Sequence, residues 1–216
     1  MIALAFSDIH GQYGRVSQII RHEKTCDLII LAGDLTTQGS VADAEQALRS
    51  FLNLNIPLIG VAGNMDSPEI DEMFTRTGIG IDGRGIRLGD VGFCGVSGSP
   101  LSPLHTPYER GEEILLQTAE KGWADLRDVG KKIFVPHSPP MRTQLDRITP
   151  GMHVGSTAVR TFIENRQPDA VICGHIHESR GKDTLGRTIM INCGPASKGY
   201  YARLQMEETI IAENCG

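Results

Sequence analysis

Short apolar runs alternate with amphipathic stretches along this chain. Ile2–Phe6, Leu28–Ala32, Pro57–Ala62, Ile133–Val135 and Ala170–Cys173 are rich in branched residues and too short for helices, so they read as buried strands. Between them, Tyr13–Lys24, Val41–Leu54 and Thr157–Asn165 carry apolar residues at helical spacing on one side. Such alternation predicts an α/β fold with a largely parallel sheet. Two more strands are expected at Ile86–Leu88 and Val91–Val96, joined by the hairpin signal Gly89-Asp90, and two near the end at Arg187–Asn192 and Ala202–Met206. Residues 98–131 open on Ser-Pro-Leu-Ser-Pro and continue into a helix predicted from Glu109 to Arg127. They suit an ordinary crossover or a small cap equally well.

Length and composition narrow the class. The 216 residues fit one domain, 1–216, whose core is large enough to fold without a metal or disulfide. A formal charge of −5 works against long nucleic acid. The five cysteines are odd in number and widely spaced, with no CxxC pair, which suits reduced thiols. The opening apolar run meets Asp8 too early for a signal-peptide core, and no later run approaches a membrane-spanning length. A cytoplasmic protein that does not enter the membrane is expected, as a monomer or a homo-oligomer.

The chemistry gathers at strand ends. Five strand-like runs are each followed by a polar cluster: Asp8-Ile9-His10, Gly33-Asp34, Gly63-Asn64-Met65-Asp66, His137-Ser138-Pro139 and Gly174-His175-Ile176-His177. In open α/β sheets the carboxyl ends of strands form the binding crevice. Residues two apart in extended chain face the same way, so Asp8 with His10, and His175 with His177, are expected to aim at one centre. The glycines at 33, 63 and 174 are expected to allow tight exits from the sheet. Seven donors result: the oxygens of Asp8, Asp34 and Asn64 and the imidazoles of His10, His137, His175 and His177. This is too many for one tetrahedral ion. The mixed set suits two divalent transition metals, Mn, Fe, Zn, Co or Ni, about 3.5–4 Å apart with one carboxylate between them. Neither a G-x-S-x-G elbow nor a Walker A loop is present.

Taken in order, D-x-H, G-D, G-N, H and G-H-x-H resemble the calcineurin-like metallophosphoesterase superfamily. The runs His137-Ser138-Pro139-Pro140, His153-Val154-Gly155-Ser156 and Gly174-His175-Ile176-His177-Glu178-Ser179 are similar to those of its small, largely prokaryotic phosphoesterases. The resemblance implies a four-layer α-β-β-α sandwich of two mixed sheets flanked by helices, with a metal-bridging hydroxide as nucleophile. It implies that Asp8, His10, Asp34 and His177 hold one ion, and that Asp34, Asn64, His137 and His175 hold the other. Asp34 is then the bridge, and Asp34 and Asn64 are read as catalytic as well as metal-holding.

One departure shapes the expected activity. Much of the superfamily reads G-N-H-[DE], whereas this chain reads Gly63-Asn64-Met65-Asp66. A thioether donates no proton. The expected reaction is therefore hydrolysis of a small phosphodiester. The alternatives are a phosphomonoesterase or nucleotidase in which another acid such as His153 compensates, and a metal-bearing interaction scaffold. Ser67 and Ser156 read as helix caps, with Pro68 at the first helical position after Ser67. Asp66 either belongs to that turn or orients an imidazole or loop amide. Cys173 and Cys193 read as small core hydrophobes rather than ligands.

Overall fold

The computed structural model describes residues 1–149 and 151–216. In chain order the strands are β1 (Ile2–Phe6), β2 (Leu28–Ala32), β3 (Leu58–Val61), β4 (Ile86–Leu88), β5 (Val91–Val96), β6 (Ser99–Pro100), β7 (Glu109–Arg110), β8 (Lys131–Pro136), β9 (Arg147–Ile148), β10 (Met152–His153), β11 (Ala170–Cys173), β12 (Gly181–Leu185), β13 (Thr188–Asn192), β14 (Tyr201–Met206) and β15 (Ile210–Cys215). The helices are α1 (Tyr13–His22), α2 (Val41–Leu52), α3 (Pro68–Arg76), α4 (Glu112–Ala124) and α5 (Thr157–Arg166).

Two mixed sheets stack face to face. The first has the order β15-β14-β1-β2-β3, with β1, β2 and β3 parallel and the last two strands antiparallel. The second runs β12-β13-β11-β8-β5-β4, with four parallel strands inside two antiparallel edges. Side chains alternate across each strand, so one sequence run supplies two cores. Ala3, Ala5 and Ile30 of the first sheet meet Phe93, Val135 and Ile172 of the second in the central layer. From the same strands, Leu4, Phe6 and Ile29 turn outward onto Val16, Phe51 and Phe74 of α1, α2 and α3. Phe134 and Val171 turn outward onto Leu115 of α4 and Phe162 of α5. The layers are helices, sheet, sheet, helices.

Several expectations are corrected. The predicted Glu109–Arg127 helix is shorter, because Glu109 and Arg110 form β7, which pairs with β6. α4 is a crossover between the parallel strands β5 and β8, and it packs on the sheet beside α5. Two edge strands, β12 and β15, were not expected; the polar Lys-Asp-Thr of β12 and Glu-Asn of β15 resemble loop composition. Ser67 stands at the N-cap of α3 without a side-chain cap bond, whereas Ser156 accepts from the Val159 amide as expected. Among the described residues no helix is long and apolar enough to cross a membrane.

The outer core of the second sheet centres on Phe162, which is fully buried with its ring 4.4 Å from Phe134 and 5.6 Å from Trp123. Phe162→Ala is expected to cost about 3–5 kcal/mol, from lost transfer energy plus the cavity left behind. Urea unfolding at equilibrium checks this; a change below about 1 kcal/mol would show that α5 is not anchored there.

Candidate metal centre

The parallel strands bring their carboxyl ends to one edge. β1, β2 and β3 deliver Asp8, Asp34 and Asn64, while β8 and β11 deliver His137 and His175. The two sheets meet there: His137 Nδ1 donates to the Ala32 carbonyl at 2.8 Å, and the His175 amide donates to Asp8 at 3.1 Å. Three donors, from Asp8, His10 and His177, lie within 4.8 Å of one another, as do those of Asp8, Asp34 and His137. Asn64 joins the second group through Oδ1, 2.9 Å from His137 Nε2. The His175 ring stands 5.0 Å from that of His137. All seven expected residues are thus gathered at this edge. Asp8 belongs to both three-donor groups. Asp34 spans the site, with Oδ2 3.7 Å from His10 Nε2 and Oδ1 3.6 Å from His137 Nε2.

The local geometry differs from simple extended alternation. Asp8, His10, Asp34 and His175 have φ of 55°, 47°, 53° and 67°, the left-handed region that disfavours side chains beyond glycine. Such residues persist where surrounding contacts over-determine them. Here the two loops lock together: Asp8 N donates to Gly33 O, and both Ile9 N and His10 N donate to Asp34 O. Nor do the glycines all serve tight exits. Gly33 has positive φ, but a Cβ on Gly63 would fall 2.0 Å from Asp34 Oδ1, and one on Gly174 would fall 1.7 Å from Ser7 Oγ. Close approach, more than conformational freedom, demands glycine at those two positions.

Asp66 is the clamp that ties the Asp34 loop to the Asn64 loop. Fully buried, it accepts from Leu35 N, Thr36 N, Thr36 Oγ1 and Gly63 N at 2.8–3.0 Å. It therefore orients loop amides. Met65 is half-buried, and its amide donates to Asp34 Oδ1 at 2.8 Å. A second set of contacts, unexpected from the sequence, supports Asn64. Ser97 Oγ accepts from Ala62 N and donates to Asp71, Tyr108 OH also donates to Asp71, and Tyr108 N donates to Asn64 O. Burial, with Asp82 nearby, pushes the Asp71 carboxyl up to about 6. Beneath His175, Asn192 Nδ2 donates to Gly174 O and Ile176 O. An Asn at a strand end two residues before a glycine was its only mark in the sequence.

The electrostatics fit a cation. Burial holds His137 below the usual imidazole range, and burial beside His137 brings His175 down to about 3. Both rings are neutral. With its Nδ1–H spent on Ala32, His137 turns the Nε2 lone pair toward Asn64 Oδ1 and Asp34 Oδ1. The ring nitrogen and the amide oxygen then face each other as two acceptors, an arrangement that a cation would satisfy. Asp8 and Asp34 are also buried without a Lys or Arg partner among the described residues. Burial raises Asp34 well above the carboxylate range, helped by the charges of Asp8 and Asp66. Burial also works against Asp8, but the His177 hydrogen bond, the charges of His137 and His177 and the Ser7 hydrogen bond together outweigh it and hold Asp8 at about 2. His177 is raised by the same bond. His10 presents Nε2 to Asp34 while Nδ1 bonds Thr37 Oγ1 at 2.8 Å, an outer contact of the kind that fixes a ligand's tautomer.

A sequence model of calcineurin-like phosphoesterases matches residues 1–179. An uncharacterized protein of Methanocaldococcus jannaschii is 30% identical over 219 residues, covering 99% of this chain and 96% of that protein. A probable cyclic nucleotide phosphodiesterase of Synechococcus is 27% identical over 179 residues, covering 79% of this chain and 65% of the relative. Among solved structures, a protein of Thermus thermophilus superposes with a TM-score of 0.76 at 18% identity, over 99% of this chain and 98% of that one.

Metal loading is expected to release protons, since burial favours the protonated form of Asp34 and the Asp8 hydrogen bond favours that of His177 in the metal-free site, whereas burial favours the neutral rings of His137 and His175. Apparent affinity should therefore rise with pH. Titration calorimetry in buffers of different ionisation enthalpy should give a release on the order of one proton or more per protein near pH 6. Uptake, or no exchange, would contradict these protonation states.

Proposed function

Since this chain belongs to the calcineurin-like phosphoesterase family and is a metal-dependent phosphoester hydrolase, we propose that it hydrolyses small phosphodiesters at a binuclear transition-metal centre. Asp8, His10, Asp34 and His177 hold one ion in this reading, and Asp34, Asn64, His137 and His175 the other. The observation that carries it is the convergence of His137 Nε2 and Asn64 Oδ1, 2.9 Å apart, with Asp34 Oδ1 3.6 Å from the same ring nitrogen. Four imidazoles favour Mn, Fe, Zn, Co or Ni over Mg, which prefers oxygen and retains its water. Two such ions, when bound, neutralise phosphoryl charge, lower the pKa of a water and stabilise the leaving oxygen.

The protein's part is to hold that arrangement. Ala32 O and the Thr37 hydroxyl set the ring orientations of His137 and His10, and the Met65 amide fixes Asp34. Asp34 and Asn64 border the reacting phosphoryl group in this reading. Diester preference follows from Met65, because a diester brings one negative charge where a monoester brings up to two. Methionine offers the extra charge no donor. The name of the Synechococcus relative, a probable cyclic nucleotide phosphodiesterase, points the same way. With all seven donors in place, a scaffold stripped of metal chemistry is the weaker reading. The substrate is a small phosphoester, and the five free thiols suit a cytoplasmic enzyme.

Chelation is expected to abolish cleavage of bis(p-nitrophenyl) phosphate, and Mn, Ni or Zn to restore it, with Asp34→Asn inactive. Full activity in Mg after rigorous removal of other metals would sink the ligand assignment.

Met65→His, beside the buried Asp66, should raise kcat/KM for an alkyl monoester selectively, while the aryl diester rate moves much less. If the wild type already hydrolyses the alkyl monoester as fast as the aryl diester, the handicap assigned to Met65 is wrong.

A further inference from the structure

Met65 leaves the leaving group without a proton donor from the Asn64 loop. A further imidazole, His153, lies on the hairpin whose strand β9 packs against the His177–Ser179 turn. His153, on β10, has Nδ1 2.7 Å from Asp146 Oδ1. That carboxylate is fully buried and also accepts from the amides of Arg142, Thr143 and Gly155 at 2.9–3.0 Å. Facing a carboxylate, Nδ1 carries its proton inward, and Nε2 is the nitrogen free to gain or lose one. Nε2 has no partner among the described residues and is not sealed from solvent. The His153 side chain is 29% exposed against 0% for Asp146. A buried carboxylate, an oriented imidazole and an open second nitrogen form a proton-transfer pair.

The fold puts this pair beside the metal ligands. Asn192 Nδ2 donates to Leu145 O as well as to Gly174 O and Ile176 O, so the backbone entering Asp146 lies against the loop of His175. β9, the hairpin partner of β10, packs on the 3-10 turn His177–Ser179, where Ser179 Oγ donates to Arg147 O and Thr149 Oγ1 donates to Glu178. The charged groups around His153 are Asp146, Arg147 opposite it in the hairpin, and Glu178 on that turn.

Resting on the phosphodiesterase reading above, we propose that His153 is the general acid for the leaving alcohol, and that Asp146 is the residue positioning it. A water oxygen forms the new P–O bond and releases its proton to solvent. As the bond to the leaving oxygen breaks, its electron pair stays on that oxygen, which takes the Nε2 proton and departs as an alcohol. His153 is left neutral with Nδ1–H still on Asp146, and regains its proton from solvent. The substrates served are diesters of poor leaving groups, such as an alkyl or sugar hydroxyl.

The test uses the metal-loaded full chain and a series of methyl aryl phosphodiesters, extended to one alkyl diester. His153→Gln should lower kcat for the alkyl diester by roughly 10²–10⁴-fold and for the p-nitrophenyl ester by no more than about threefold. The rate should then depend more steeply on leaving-group acidity, and the basic limb of the alkyl-ester pH profile should disappear. Equal losses across the series, with an unchanged slope, would overturn the assignment while leaving the hydrolase intact. No turnover of any diester by metal-loaded wild type would overturn both. Independently of turnover, the His153 ring 15N resonances of the zinc-loaded wild type should shift as inorganic phosphate is added. Resonances unmoved at saturating phosphate would also overturn it.

Discussion

Asp8 and Asp34 are buried side by side at the ends of neighbouring parallel strands, with imidazoles but, among the described residues, no lysine or arginine to neutralise them. Uncompensated, each buried charge costs several kcal/mol. The raised Asp34 and the lowered His175 are the metal-free protein's way of carrying that cost, by shedding charge. A pair of divalent cations removes the need. Folding and metal chemistry are therefore coupled at one edge of two sheets whose cores are otherwise complete.

Much of the surrounding structure makes this edge possible. The ligand loops use left-handed backbone at Asp8, His10, Asp34 and His175, glycines pressed against Asp34 and Ser7, and an Asp66 carboxylate that collects four donors from both loops. Each of these is unfavourable or unused in isolation, and together they hold side chains on strand ends rather than on mobile loops. Sites built on rigid elements keep donor geometry better than sites built on loops.

The same edge divides chemical labour. Asp8 belongs to both donor groups and Asn64 joins the second through His137, while the Asn64 loop carries the Met65 thioether. The His153–Asp146 pair enters from the hairpin after His137, adjoining the loops of His175 and His177. A proton donor on a separate element can be aimed at a different oxygen of the substrate from the one the Asn64 loop would reach. In the proposed mechanism, substrate choice rests on the geometry of that hairpin as well as on the metal centre.

The sequence by itself determined the strand runs and the order of the seven polar residues that gather at one edge, while the four-layer class came from the family resemblance that those motifs carry. Each of those signals is local: an apolar run, then a polar cluster within a few residues. The tertiary structure alone decided how the donors converge. Extended alternation was the wrong guide for Asp8 and His10 because contacts with the Gly33–Asp34 loop, distant in sequence, force both into left-handed backbone. The roles of Asp66, Asp71 and Asn192 were equally hidden, since a buried polar side chain has no meaning until its partners fold around it. β12 and β15 escaped notice because an edge strand alternates polar residues much as a loop does, and only pairing with β13 and β14 makes it a strand. Patterning reports which face of an element is buried. It does not report which neighbour a backbone must approach, and at this site close approach sets the chemistry.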